Sequence, residues 1–253
     1  MLQLLMLIVL PLLAESKTVP DPLFPVDCGN VFTNESFQSG VYTIYPAGTD
    51  QPIQVYCEKS CDDNNKEDTE IWTVILKRYD GSVNFYRTWQ EYQNGFGNLS
   101  GEYWLGLQNL YIMTNLEKYE LRVDLEDFDS STAYAKYTYF TVDSEANRYA
   151  LHTGSYINGG AGDAMSSLNG LAFTTFDNYT CGDTYYGGFW YTCSGWYYWY
   201  NYWQPCNPTG LYKFGVPVYS STGMYWQTWK GSQIALKSIV MKIRQVSVDE
   251  LQV

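Results

Sequence analysis

From Trp72 to Leu110 the chain reads WTVILKRYDGSVNFYRTWQEYQNGFGNLSGEYWLGLQNL, and the turn residues and ring spacings of this stretch narrow what can be built from it. Trp72, Val74, Leu76 and Arg78 alternate with Thr73, Ile75, Lys77 and Tyr79, which predicts a strand rich in aromatic and β-branched residues. Asp80-Gly81 predicts a hairpin turn, with Phe85 and Tyr86 on the returning arm. Trp89, Tyr92 and Phe96 follow at helical spacing, and Gly95 and Gly97 stop the run. In Gly101-Glu102-Tyr103-Trp104-Leu105-Gly106 each glycine lets backbone pass close beside large rings.

Met1 to Ala14 is an unbroken apolar run, too short to span a bilayer and followed by Glu15, Ser16 and Lys17. It reads as a signal peptide over residues 1–16 rather than a buried helix, because Pro20, Pro22 and Pro25 follow at once. No second apolar run exists, so a secreted product without a membrane span is expected. The formal charge of −12 disfavours nucleic acid and anionic membranes and suits basic ligands, calcium or neutral sugars. Six cysteines in a secreted chain imply disulfides, and spacing alone leaves their pairing open.

Residues 40–46 and 53–57 alternate as two further strands, and 58–70 reads as an enlarged acidic loop. Asp62, Asp63, Glu67, Asp68 and Glu70 match no calcium-loop spacing, so a solvated loop is the better account. Leu121, Val123 and Leu125 alternate with Arg122, Asp124 and Glu126, which puts the acids on a wetter face. His152 is the only histidine; a zinc cluster built on histidines is excluded, no nucleophile elbow accompanies it, and packing within a strand is expected. No catalytic set emerges, so the chain reads as a binding protein and not an enzyme. Rings crowd residues 185–203; consecutive aromatics cannot all point inward, and some of Trp196 to Trp203 are expected to be exposed as an interaction surface. Asn34, Asn98 and Asn178 open glycosylation sequons, whereas proline blocks the one at Asn207.

The central stretch resembles the fibrinogen-related domain found in fibrinogen chains, ficolins, tenascins, angiopoietins and microfibril-associated glycoproteins. Further matches follow in order: YELRVDLEDF at 119–128, TAYAKY at 132–137, GAGD at 160–163, FTTFD at 173–177, and the segments 226–231 and 241–244. Residues 101–109 and 119–128 read closest to the microfibril-associated branch. The resemblance implies an α+β fold over 26–246, preceded by a short segment, 17–25. Its parts are an N-terminal disulfide subdomain (26–70), a central mixed sheet flanked by short helices (71–165 with 234–244), and a loop-rich calcium- and ligand-binding subdomain (166–233).

It further implies disulfides Cys28–Cys57 and Cys181–Cys193, worth roughly 3.6 and 3 kcal/mol by loop-closure entropy. Cys61 and Cys206 are left to pair with each other or between chains. Relatives hold calcium in an Asp-x-Asp loop; here Asp177 keeps the first position, Tyr179 replaces the second carboxylate, and Asp183 is the candidate substitute, which implies a weakened site. The implied ligand pocket comprises Phe189, Trp190, Tyr191, Cys193, Ser194 and Tyr212, with Ser194 standing where relatives carry a histidine. Expected partners are acetylated or other glycans, or matrix proteins such as elastic-fibre components and collagen, with avidity gained by homo-oligomerisation. The alternative from another class is a self-associating matrix protein joined through its aromatic insertion and Cys61 or Cys206.

Overall fold

The strand that completes the main sheet is the last of the described residues' strands. The computed structural model describes residues 24–31, 37–61, 69–178, 182–192, 204–213 and 222–246. The expected signal peptide, the acidic run at 62–68 and the insertion at 196–203 lie outside the described residues.

In chain order the elements are β1 (Gly40–Ile44), β2 (Ile53–Cys61), β3 (Thr69–Arg78), α1 (Trp89–Asn94), β4 (Phe96–Gly97), β5 (Tyr103–Trp104) and α2 (Leu107–Leu116). There follow β6 (Tyr119–Glu126), β7 (Thr132–Val142), β8 (Leu151–Thr153), β9 (Tyr156–Gly159), α3 (Gly182–Tyr185), β10 (Cys206–Asn207), β11 (Tyr225–Trp226), α4 (Gln227–Lys230) and β12 (Ser238–Gln245).

The ten-stranded sheet runs β1-β2-β3-β12-β6-β7-β8, with β5 on β3, β4 on β5 and β9 on β7. β12 lies between β3 and β6, so Met241 stands opposite both Leu76 and Val123. Every ladder is antiparallel, where a mixed sheet was expected. β1 and β2 continue into this sheet through β3, so the N-terminal strands are its edge and not a separate layer. Cys28 and Cys57 are disulfide-bonded and buried, fastening the segment before β1 to β2.

The two faces of the sheet are filled by different chemistry. On one face Leu121, Val123 and Leu125 of β6 join Ile239, Met241 and Ile243 of β12, and Leu107, Leu110 and Met113 of α2 belong to the same buried cluster. On the other, Trp72 is fully buried among charged groups. Lys136, Lys242 and Arg244 sit 5.3–5.6 Å from its ring centroid, and its indole N–H donates to Glu70 at 3.2 Å. Arg244 pairs with Glu120 at 2.6 Å and Glu70 at 3.1 Å; Lys242 pairs with Asp124 at 2.7 Å and with Glu58. The face expected to be wetter does keep Arg122, Asp124 and Glu126 only half-buried, and its ion pairs extend to Glu70, Glu120 and Lys242, which are buried.

Three local readings change. Glu58–Cys61 and Thr69–Glu70 are strand residues, because Ser60 pairs with Glu70 and Cys61 with Thr69, so the loop between β2 and β3 is shorter than 58–70. The hairpin at Asp80-Gly81 does not form: no strand returns, and the N–H groups of Tyr79, Asp80, Gly81 and Val83 donate instead to the buried carboxylate of Glu102 at 2.7–3.1 Å. His152 lies on β8 as a half-exposed side chain facing Asp143 at 3.1 Å, not packed inside. The α1 expectation holds, and α1 opens on a capping box in which Thr88 and Glu91 satisfy each other's backbone N–H.

Candidate ligand-binding face

The segment from Phe173 to Tyr186 is tied to the start of α1 by side chains that the sequence placed in a metal loop. Asp177 Oδ1 accepts the backbone N–H of Trp89 at 2.9 Å and the Thr175 hydroxyl at 2.7 Å, so this carboxylate caps α1. Asp183 accepts the phenolic O–H of Tyr86. Beneath them Phe173 is buried against Tyr92, Trp104 and Trp190, with ring centroids 5.2–5.9 Å apart.

Outside this core a group of rings stays at the surface. Tyr86 stacks on Phe176 at 4.4 Å between centroids and 21° between planes, and Tyr186 leans toward Tyr86 at 5.7 Å. Tyr185 and Tyr186 show how adjacent rings divide. Tyr185 turns inward and stacks on Tyr191 at 4.4 Å; Tyr186 takes a left-handed φ of 56° and stands 43% exposed. A bulky side chain at positive φ is strained, and strain of this kind is held where the surroundings demand it.

The expected pocket walls are interior. Phe189 and Trp190 are fully buried and Tyr191 is 2% exposed, so none of the three meets a ligand in this structure. Trp190 donates its indole N–H to Tyr149 O at 2.7 Å. Tyr191 donates to Asn207 Oδ1 at 2.9 Å, and burial pushes its phenol well above its ordinary pKa.

Tyr212 is half-buried and donates its O–H to Tyr79 O at 2.8 Å. Its ring covers Gly81, where φ is 74° and an added Cβ would lie 2.8 Å from Tyr212 Cδ1, so a side chain at 81 would displace the ring. Arg78, 2% exposed, donates to Pro208 O at 3.3 Å and Gly210 O at 3.0 Å, and its guanidinium lies 3.9 Å above the Phe85 ring. It faces Glu102 at 3.6 Å, so one buried ion pair fixes both the 79–83 turn and the 208–210 turn.

Cys206 is a free, fully buried thiol that donates to Ala164 O at 3.5 Å, and burial raises its pKa well above the usual value. The sulfur of Cys206 is enclosed and bonded to Ala164 O, which disfavours the pairing left open for it with Cys61 or another chain. Cys181, Cys193, Ser194 and Asn34 lie outside the described residues, as does the Cys61 side chain. Asn98 is exposed on the turn between β4 and β5, with Ser100 N–H donating to its Oδ1 at 3.0 Å; Asn178 is half-buried and doubly hydrogen-bonded through its backbone to Thr175.

A calcium ion at the expected loop would need six to eight oxygens, several of them anionic. Asp177 and Asp183 do not offer that shell: one caps α1 and the other holds a phenol, and among the described residues no group of three or more Asp, Glu, His or Cys converges. Residues 179–181 of that loop lie outside the described residues, and those described do not by themselves complete the shell.

The surface rings were partly legible. Tyr186 belongs to the aromatic crowd singled out above, whereas Tyr86 and Phe176, some ninety positions apart in sequence, are brought together only by the cap that Asp177 places on α1.

A family model described as "Fibrinogen beta and gamma chains, C-terminal globular domain" matches residues 24–246. Mouse microfibril-associated glycoprotein 4 is 39% identical over 232 residues, covering 87% of this chain and 84% of that one. Bovine fibrinogen-like protein 1 is 40% identical over 238 residues, covering 86% of this chain and 71% of that one. Among solved structures, the fibrinogen-like globe domain of human ANGPTL2 superposes with a TM-score of 0.76 at 36% identity, covering 87% of this chain and 99% of that one.

Proposed function

The chain belongs to the family of fibrinogen C-terminal globular domains, and from that premise we propose that it is a secreted, non-enzymatic binding protein of the extracellular matrix. Its ligands on this reading are acetylated or other glycans, or matrix proteins such as elastic-fibre components and collagen. The observation that carries the reading is the ring group in which the exposed Tyr186 leans on the half-buried Tyr86, itself stacked on the half-buried Phe176. Large rings presented rigidly to solvent supply contact area at little entropic cost, which suits recognition. Kinship supports the matrix setting, since microfibril-associated glycoproteins are among its relatives. Among the described residues no helix is long and apolar enough to cross a membrane. Assembly through Cys206 is no part of this reading, because its thiol is buried.

An array of glycans and matrix proteins probed with the whole secreted chain, once with calcium and once with chelator, tests the proposal. Retention on at least one class of ligand is expected, insensitive to chelator because Asp177 and Asp183 are already committed to Trp89 and Tyr86. Silence on every surface in both conditions refutes the binding function; retention abolished by chelator refutes the metal-independent part alone.

A further inference from the structure

Asn98 stands on the turn between β4 and β5, and hydrogen bonds set that turn tightly. Its N–H donates to Glu102 O at 2.8 Å, its carbonyl accepts the Gly101 N–H at 2.7 Å, and its Oδ1 accepts the Ser100 N–H at 3.0 Å. Among the described residues no acceptor takes its Nδ2–H, the group that carries the sugar when a sequon such as Asn98-Leu99-Ser100 is used. Both sequence neighbours of Asn98, Gly97 and Leu99, line a groove of about 350 Å³. Ile53 at the start of β2, Phe96 of β4 and Leu99 give it half-buried apolar walls, and the amides of Gln54, Asn94 and Asn109 stand among them. Asn109 donates its Nδ2–H to Leu105 O at 2.9 Å, which leaves its Oδ1 as an acceptor. No charged side chain lines the groove, in a chain of net charge −12.

Apolar walls with amides among them suit a pyranose, whose C–H faces are apolar and whose hydroxyl and acetamido groups bond to amides. A charged ligand would find no counter-charge there. A free sugar would hold so open a groove weakly, whereas one tethered to the adjoining residue is present at millimolar effective concentration. We propose that this groove seats the chain's own N-linked glycan, its innermost N-acetylglucosamine joined to Asn98 and lying against Leu99 and Ile53. The proposal rests on the secreted part of the function proposed above. In the joining step Asn98 Nδ2 bonds to C1 of the sugar, the C1–O bond to a diphosphate-linked donor breaks, and one amide proton leaves. Seated so, the glycan bridges the start of β2 to the β4–β5 turn and covers apolar surface that the fold leaves half open. It clasps the β1–β2 edge to the middle of the domain and is not a solvated antenna.

The test uses the full chain, residues 1–16 included, made in a glycosylating secretory host. Ser100→Ala abolishes the acceptor signal while keeping the Asn98 carboxamide and the N–H that bonds to it. Leu99→Ser and Ile53→Thr strip the groove walls and leave the sequon intact. Intact mass, the Tm of each chain with and without Ser100→Ala, and the rate at which an N-glycan amidase frees the sugar from the folded chain are measured. One glycan at Asn98 is expected. Ser100→Ala should lower Tm by about 2 °C or more in the otherwise unchanged chain and by less than about half as much beside either wall substitution. The amidase should act on the folded wild type at least about fivefold more slowly than on Leu99→Ser, and equally fast on both once they are denatured. Should Leu99→Ser fail to fold, Ile53→Thr carries the same comparison. A Tm loss of the same size in every background, or equal release rates from the folded chains, overturns the proposal. A chain recovered from the medium without a glycan at Asn98 overturns it alone and leaves the binding function to the array; a chain retained in the cell sinks the secreted reading with it.

Discussion

Replacing Glu102 by glutamine is expected to be among the most damaging conservative changes in this protein. The carboxylate is fully buried; Oε1 takes the N–H groups of Tyr79, Asp80 and Gly81, and Oε2 that of Val83. All four contacts are donor to acceptor, so an amide NH2 in either position sets a donor against a donor. The substitution also strips the only anion facing the buried Arg78 guanidinium at 3.6 Å, whose pKa burial already pushes down and Glu102 holds up. Removing one partner of a buried pair costs about 3–5 kcal/mol, mostly through the charge left behind. For a domain of this size each kcal/mol moves the midpoint by roughly 2–4 °C, so a fall in Tm of about 6–20 °C follows. Differential scanning calorimetry of the wild type, Glu102→Gln, Arg78→Met and the double variant checks it. The double variant should lose clearly less than the sum of the singles, since it leaves no orphaned cation. A Glu102→Gln midpoint within about 2 °C of the wild type, or strictly additive losses, would refute the reasoning.

Other outcomes follow from the same coordinates. Changing both Cys28 and Cys57 to alanine removes a bond closing a separation of 29 residues and should lower stability by about 3.6 kcal/mol, read by urea denaturation under non-reducing conditions. Lys230 at 2.7 Å, helped by the N–H groups of Ser131 and Asp129, holds the Asp127 carboxyl below its ordinary pKa. Its contribution is present above the unfolded value of about 3.9 and is lost as pH falls through the lower folded value, so Asp127→Asn should flatten the acid limb of a Tm-versus-pH curve. In a glycosylating secretory host, Asn98→Gln should remove one glycan from the intact mass and Asn178→Gln should remove none, because only Asn98 stands clear on an exposed turn.

The parts of the fold read from sequence are those where local pattern and burial agree. The period-two alternation of Leu121, Val123 and Leu125 gave β6 its core face, the spacing of Trp89 and Tyr92 gave α1, and family resemblance supplied Cys28–Cys57. What local pattern missed was chemistry acting at long range. Asp80-Gly81 looks like a hairpin because nothing in its neighbourhood reveals that Glu102, some twenty residues on, will take the turn's N–H groups. Phe189, Trp190 and Tyr191 carry the same ring chemistry whether they line a pocket or fill a core, and only their contacts with Phe173, Tyr149 and Asn207 separate the two. Asp177 reads in sequence as a loop carboxylate, and its bond from the backbone N–H of Trp89 shows only in the fold.

The placement of β12 between β3 and β6 bears on how the molecule is made. A ribosome releases Ser238–Gln245 only after every other described strand has emerged, so until then β3 and β6 each expose an unpaired edge and the aliphatic rows on either side lack their shared neighbour. Closure of the sheet must therefore wait until Ser238–Gln245 has been made, and a stop before Ser238 would yield two half-sheets prone to clump, not a smaller working version of the protein.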